Sequence, residues 1–91
     1  MTDNPTTPAW LTRDTPIRDL PLSTRVRRAL VAHLMECHGL GWDAPLSALE
    51  LLDARELRER VINFGAVSHA ELAAFLRGPG AGLVQVEGLD G

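Results

Sequence analysis

The sequence predicts an all-α fold: a compact bundle of four to five short helices with a flexible N-terminal arm. Three observations carry that prediction. Apolar residues recur at three- and four-residue spacing from Val26 to Leu76. Cap residues stand in front of these patterns at Ser23, Asp53 and Ser68, and glycines stand behind them. No pair of alternating segments joined by a hairpin turn competes with the helices, and there is no internal repeat.

Residues 1 to 16 hold Pro5, Pro8, Pro16 and several threonines, and read as the flexible arm. Trp10 and Leu11 are its apolar residues, with no pattern that fixes where they dock. "IRDLPL", 17 to 22, reads as an extended lead-in whose Ile17, Leu20 and Leu22 cover an edge of the core. Ser23 caps a first helix running to about Cys37. Its buried stripe is expected at Val26, Leu30, His33 or Leu34, and Cys37. "HGLGWDAP" stops that helix at Gly39 and Gly41 and makes an irregular connection.

"LSALELL" predicts a short helix, with Leu46, Leu49 and Leu52 three residues apart. Asp53 caps the next one, and Glu56 completes a capping-box-like pattern, with Leu57 and Val61 turned inward. "NFG" is the following turn. Ser68 and Glu71 form an S-x-x-E capping box for a last helix through Arg77, with Leu72, Phe75 and Leu76 facing in. "GPGAG" ends it, and "LVQV" lies extended against the bundle. Residues 85 to 91 are expected to be a flexible tail. The domain is therefore expected over residues 17 to 84.

At 91 residues the chain is at most one domain, and 45% apolar content excludes a disordered tail. No apolar run approaches the roughly 18 residues of a membrane span, and "MTDNPTTPAW" lacks the blocks of a signal peptide. A soluble, cytoplasmic protein is the expectation. Cys37 stands alone, which leaves neither an internal disulfide nor a cysteine metal cluster. The net charge of -3 argues mildly against a general nucleic-acid binder. All nine basic residues are arginine, the better residue for bidentate and groove-inserted contacts. They are densest in "RVRR", where Arg25 and Arg28 share one helical face.

"INFGAVSHAELAAFLRG", 62 to 78, places one glycine and a capping serine between two helical patterns. Two short helices joined by a tight glycine turn make a helix-hairpin-helix arrangement. Gly65 fits a turn that needs positive φ or a close backbone approach. The amides of Ala66 and Val67 then point outward from a helix start, which carries partial positive charge and suits a phosphate. On local chemistry alone, Gly65 and Ser68 read first as residues that only end one helix and cap another.

"DLPLSTRVRRAL", "LELL" and "NFGAVSHAELAAFL" together resemble the C-terminal domain of the bacterial RNA polymerase α subunit. That family opens with D-L-x-L-(S/T)-x-R and carries a hairpin of the form N-F-G-x-K-S before an acidic helix. The likeness covers residues 17 to 84 and implies a free-standing relative, bacterial or phage-encoded. It implies a helical domain that meets A/T-rich DNA through the minor groove and also meets sigma factors and activators. By that resemblance Arg25 is the groove arginine, Arg28 stands where the family has asparagine, and Gly65 and Ser68 meet the DNA backbone. Val67 replaces the family's hairpin lysine, which removes one phosphate contact. The connection over residues 38 to 45 is longer than the family's.

Other constellations are weaker. His33, Cys37 and His38 suggest a metal, but no fourth ligand stands at suitable spacing, so neither a metal nor another cofactor is expected. Without a phosphate-binding loop, a dinucleotide fingerprint or an oriented Cys–His pair, an enzyme is not expected. Trp42 reads as a core lid or as a contact for a protein partner. Arg55, Arg58 and Arg60 alternate with Glu56 and Glu59 as a solvated face usually does. Two functions follow: a DNA-binding module using Arg25, Arg28, Gly65, Ala66, Val67 and Ser68, and a protein-interaction module of the same fold that binds RNA polymerase, sigma or a regulator.

Overall fold

The computed structural model describes residues 7 to 61 and 64 to 89 and is all-α. Helix α1 spans Thr24–His38, α2 spans Ala54–Arg60 and α3 spans Ala66–Arg77, with 3-10 segments at Ile17–Asp19 and Leu46–Leu51. Ile62 and Asn63 of the expected N-F-G turn, residues 1 to 6, and residues 90 and 91 lie outside the described residues.

Local chemistry explains most helix ends. The Ser23 hydroxyl accepts from the Val26 amide at 3.3 Å and opens α1. Gly39 closes it at φ 68°, a left-handed cap that a side chain would strain. The buried face of α1 is Val26, Ala29, Leu30, Val31, His33 and Leu34. Cys37, expected on that stripe, is exposed. The Asp53 carboxylate accepts from the Arg55 amide at 2.9 Å, as a cap should. Glu56 does not complete the box, because its carboxylate lies 3.6 Å from both His33 Nε2 and Arg60 Nε.

The Leu46–Leu51 segment is 3-10 rather than α. Its three-residue turn eclipses Leu46 and Leu49, both fully buried, and Leu52 just beyond is 3% exposed. Ile17–Asp19 likewise makes a 3-10 turn where an extended lead-in was expected. Ile17, Leu20 and Leu22 do cover the core as expected. They join Leu30, Leu34, Leu57, Phe64 and Leu72 in one apolar cluster.

The folded unit is larger than residues 17 to 84. Leu11 is buried, and residues 13 to 18 hydrogen-bond along residues 42 to 47: Ile17 donates to Ala44 O at 2.9 Å and the Leu46 amide to Thr15 O at 2.8 Å. Trp10, by contrast, stays exposed. At the other end, Val84 and Val86 are buried, and the Ala54 amide donates to Glu87 O at 2.7 Å. The arm up to residue 16 and the tail from residue 85 therefore both contribute docked residues.

Glu50 ties the two ends together. Arg13 donates to its carboxylate at 3.1 and 3.2 Å and to Leu83 O at 2.7 Å, while the Gln85 amide donates to Glu50 at 3.3 Å. Hydrogen bonding from Arg13, then from the Gln85 amide, holds the Glu50 carboxyl below the ordinary glutamate range. A carboxyl so depressed contributes stability above its unfolded value and loses that contribution as pH falls through its folded value. Amide protection at Gln85 is therefore expected to fall on acidification below about pH 4, and Glu50→Gln to lose it already at pH 7. Hydrogen exchange across pH 2.5 to 7 checks both, and an unchanged Gln85 amide would contradict them.

Candidate nucleic-acid interface

Arg25 and Arg28 project from successive turns of α1 and are exposed. They line an open cleft of about 880 Å³ between α1 and the end of α2. Thr24, Ala29, Ala32, His33 and the carboxylate of Glu36 complete its α1 wall, and Arg60 and Val61 form the other side. Arg25 and Arg28 make no ion pair among the described residues, whereas Arg60 leans on Glu56. Arg27, between them in sequence, turns away and donates to Arg18 O at 2.6 Å.

The starts of α1 and α3 lie side by side. Glu71, in the second turn of α3, accepts from the Ser23 amide at 2.6 Å. A carboxylate here complements the positive end of α1, whose own first turn carries no acidic residue. Glu71 is thus a clamp between helices, not the second half of a capping box on α3. It also leaves the start of α1 already served by an anion.

The start of α3 differs from expectation. Gly65 is its N-cap, with no side-chain cap bond, and the His69 amide donates to Gly65 O at 2.9 Å. Ser68 is the third residue of the helix and is 2% exposed, so it is not the cap, and its side chain is not at the surface. The helix begins three residues earlier than the S-x-x-E pattern suggests, which turns position 68 toward the core. A hydroxyl meeting a DNA backbone is therefore not available at Ser68 in this conformation.

Gly65 also lacks the reason the sequence suggested. Its φ is -95°, which any residue adopts, and a Cβ built there meets nothing within 4 Å. No constraint inside the fold requires glycine. Ala66 and Val67 follow in the exposed first turn, where helix amides lack intrahelical partners, and Val67 is 73% exposed.

Trp42 is not a core lid. It is 39% exposed, and its neighbour Ala44 is the buried residue of the connection. The loop is nonetheless fixed: the Arg18 amide donates to Trp42 O at 3.3 Å, and Arg18 pairs with Asp43. His33 is 3% exposed, with Cys37 Sγ 3.7 Å from its Nε2. Among the described residues no group of three or more His, Cys, Asp or Glu side chains is placed to hold a metal ion. No helix there is long and apolar enough to cross a membrane.

Sequence reasoning read Arg60 as part of a solvated face and Glu71 as a cap on its own helix, and so missed their places in the fold. Arg60 sits in an alternating charge run, which gives no hint that it faces Arg25 and Arg28 across a cleft. The Glu71 partner lies 48 residues away, beyond any local pattern.

The chain matches no protein-family model, no curated protein and no solved structure.

Proposed function

We propose that this chain is a non-enzymatic, transcription-associated module that binds DNA at A/T-rich minor grooves and adjoining phosphates. The supporting observation is the pair of exposed guanidiniums of Arg25 and Arg28, neither in an ion pair among the described residues, on a cleft wall they share with Glu36. A narrow A/T-rich groove has enhanced negative potential that favours an inserted arginine. Gly65, Ala66 and Val67 form the exposed start of α3, the helix tied to the start of α1 by the Ser23–Glu71 bond, and such a start suits a passing phosphate. In this reading α2 and α3 are the two helices of a helix-hairpin-helix, as the resemblance to the C-terminal domain of the polymerase α subunit implies. A cytoplasmic bacterial or phage setting belongs to the same proposal. Ser68 contributes through its place in the first turn, not through its side chain.

Fluorescence anisotropy with short A/T-rich and G/C-rich duplexes at two salt concentrations tests this. Arg25→Ala is expected to cost about 10- to 100-fold in affinity for the A/T-rich duplex. The salt slope should fall by about one unit for each phosphate no longer neutralised. Gly65→Ser should leave stability equal or slightly higher, since serine is the better N-cap, yet weaken DNA binding by placing a side chain at the phosphate. Equal binding by wild type and Arg25→Ala on both duplexes would overturn the reading.

One observation favours a second function. Val67, exposed where the family carries lysine, and the partly exposed Trp42 are apolar surface suited to RNA polymerase, sigma or a regulator. Under that reading Val67→Asp abolishes capture of the purified polymerase or sigma protein while Arg25→Ala leaves it unchanged.

A further inference from the structure

We infer that, within the DNA-binding reading on which this rests, Arg60 is a third DNA-contacting arginine and its engagement draws a proton onto the buried His33. Arg60 is exposed in the last turn of α2 and lines the cleft from the side facing Arg25 and Arg28. Its ion-pair partner is Glu56, one turn earlier on the same helix. Arg60 Nε stands 3.6 Å from Glu56 Oε2, longer than a hydrogen bond. Exposed pairs of this kind are weakly held and screened by salt. A phosphate instead offers a guanidinium two parallel charge-assisted bonds. A backbone phosphate entering the cleft therefore takes Arg60 from Glu56.

The other oxygen of Glu56 faces His33. His33 Nε2 lies 3.6 Å from Glu56 Oε1, and the imidazole is 3% exposed. Glu56 thus stands between a buried titratable ring and an exposed cation at the cleft. While Arg60 sits on Glu56, its charge opposes a proton on the ring. Once Arg60 leaves, His33 is the remaining ion-pair partner of Glu56, and an adjacent carboxylate favours the imidazolium.

The other titratable or charged groups around His33 are Cys37, with Sγ 3.7 Å from Nε2, and Arg25, Arg28 and Glu36 on the same cleft lining. Phosphates that neutralise Arg25 and Arg28 remove two further charges that oppose a protonated ring. The changes at all three arginines therefore have one sign. The bound state holds more proton on His33, so affinity rises as pH falls through the range in which histidines titrate.

Anisotropy on the full chain with the A/T-rich duplex, at pH 6 and pH 8, tests this. Wild type is expected to gain about three- to tenfold in affinity at the lower pH. Arg60→Ala should weaken binding about tenfold and lower the salt slope by about one unit. Glu56→Gln should bind more tightly than wild type at pH 8 and lose most of the gain at pH 6. His33→Gln should lose the same gain, and His38→Gln should keep it. At constant pH, saturating duplex should move the His33 ring signals in NMR toward the protonated form, and by less in Glu56→Gln. Arg60→Ala binding as well as wild type, with Arg25→Ala weakened, would overturn the inference and leave the DNA reading standing. Equal pH profiles for wild type and Glu56→Gln would also overturn it. Unchanged binding in both arginine variants would overturn the DNA reading and this inference together.

Discussion

Phe64→Ala is expected to destabilise the domain by about 3 to 5 kcal/mol, the usual range for truncating a buried phenylalanine. Phe64 is fully buried and is the largest of the side chains excluded from solvent. It belongs to the apolar cluster that also holds Leu30 and Leu34 of α1, Leu57 of α2 and Leu72 of α3. Its amide donates to Val61 O at 3.1 Å. A chain of this length has a net stability on the order of 5 to 14 kcal/mol. Losing the ring therefore removes a large fraction of the total. Urea unfolding monitored by far-UV circular dichroism checks this, and Phe64→Leu should recover more than half of the loss. A cost below about 1 kcal/mol would mean that the ring is not central to the core.

Gly88→Ala is expected to cost about 2 to 3 kcal/mol, from two sources. Gly88 has φ of 77°, where an L side chain costs about 1 to 2 kcal/mol. Its added Cβ would also stand 2.7 Å from Asp53 Oδ1 and 3.2 Å from the Arg55 amide, so the α2 cap must move. Loss of such a cap is worth about 1 kcal/mol. Gly82 separates the two effects. It has nearly the same φ, 79°, but its Cβ would meet nothing within 4 Å. Gly82→Ala should therefore carry only the backbone cost. The difference between the two variants, measured by urea unfolding, reports the contact with Asp53. Exchange of the Arg55 amide should accelerate in Gly88→Ala and not in Gly82→Ala. Equal costs for the two would show that the tail does not press on the cap.

The Arg25 cleft lies between α1 and the end of α2, so a loosened tail should leave it intact, and Gly88→Ala should spare DNA affinity.

Features under short-range control are legible in the amino-acid order. Periodicity placed all three α-helices, and capping chemistry identified Ser23, Asp53 and Gly39 at their ends. These are interactions over two to four residues, visible in any window of that width. The three-residue leucine spacing at 46, 49 and 52 also marked a helical turn, of the 3-10 kind. The exposed faces of Arg25 and Arg28 followed from the same periodicity.

Other features emerge only when the chain is folded, because the partners are far apart and carry no period. S-x-x-E at Ser68 is a sound local signal, yet Glu71 serves Ser23 on another helix and Ser68 turns inward. Phe64 looks like a turn residue in the sequence, yet it is fully buried in the core. Arg13 and Leu11 read as parts of an arm because proline and threonine surround them. One carboxylate, Glu50, lies 37 residues from Arg13 and 35 from Gln85 and makes both chain ends part of the domain. Arg60 became a candidate site residue only when α2 packed opposite α1, since its own charge run is locally a solvated face.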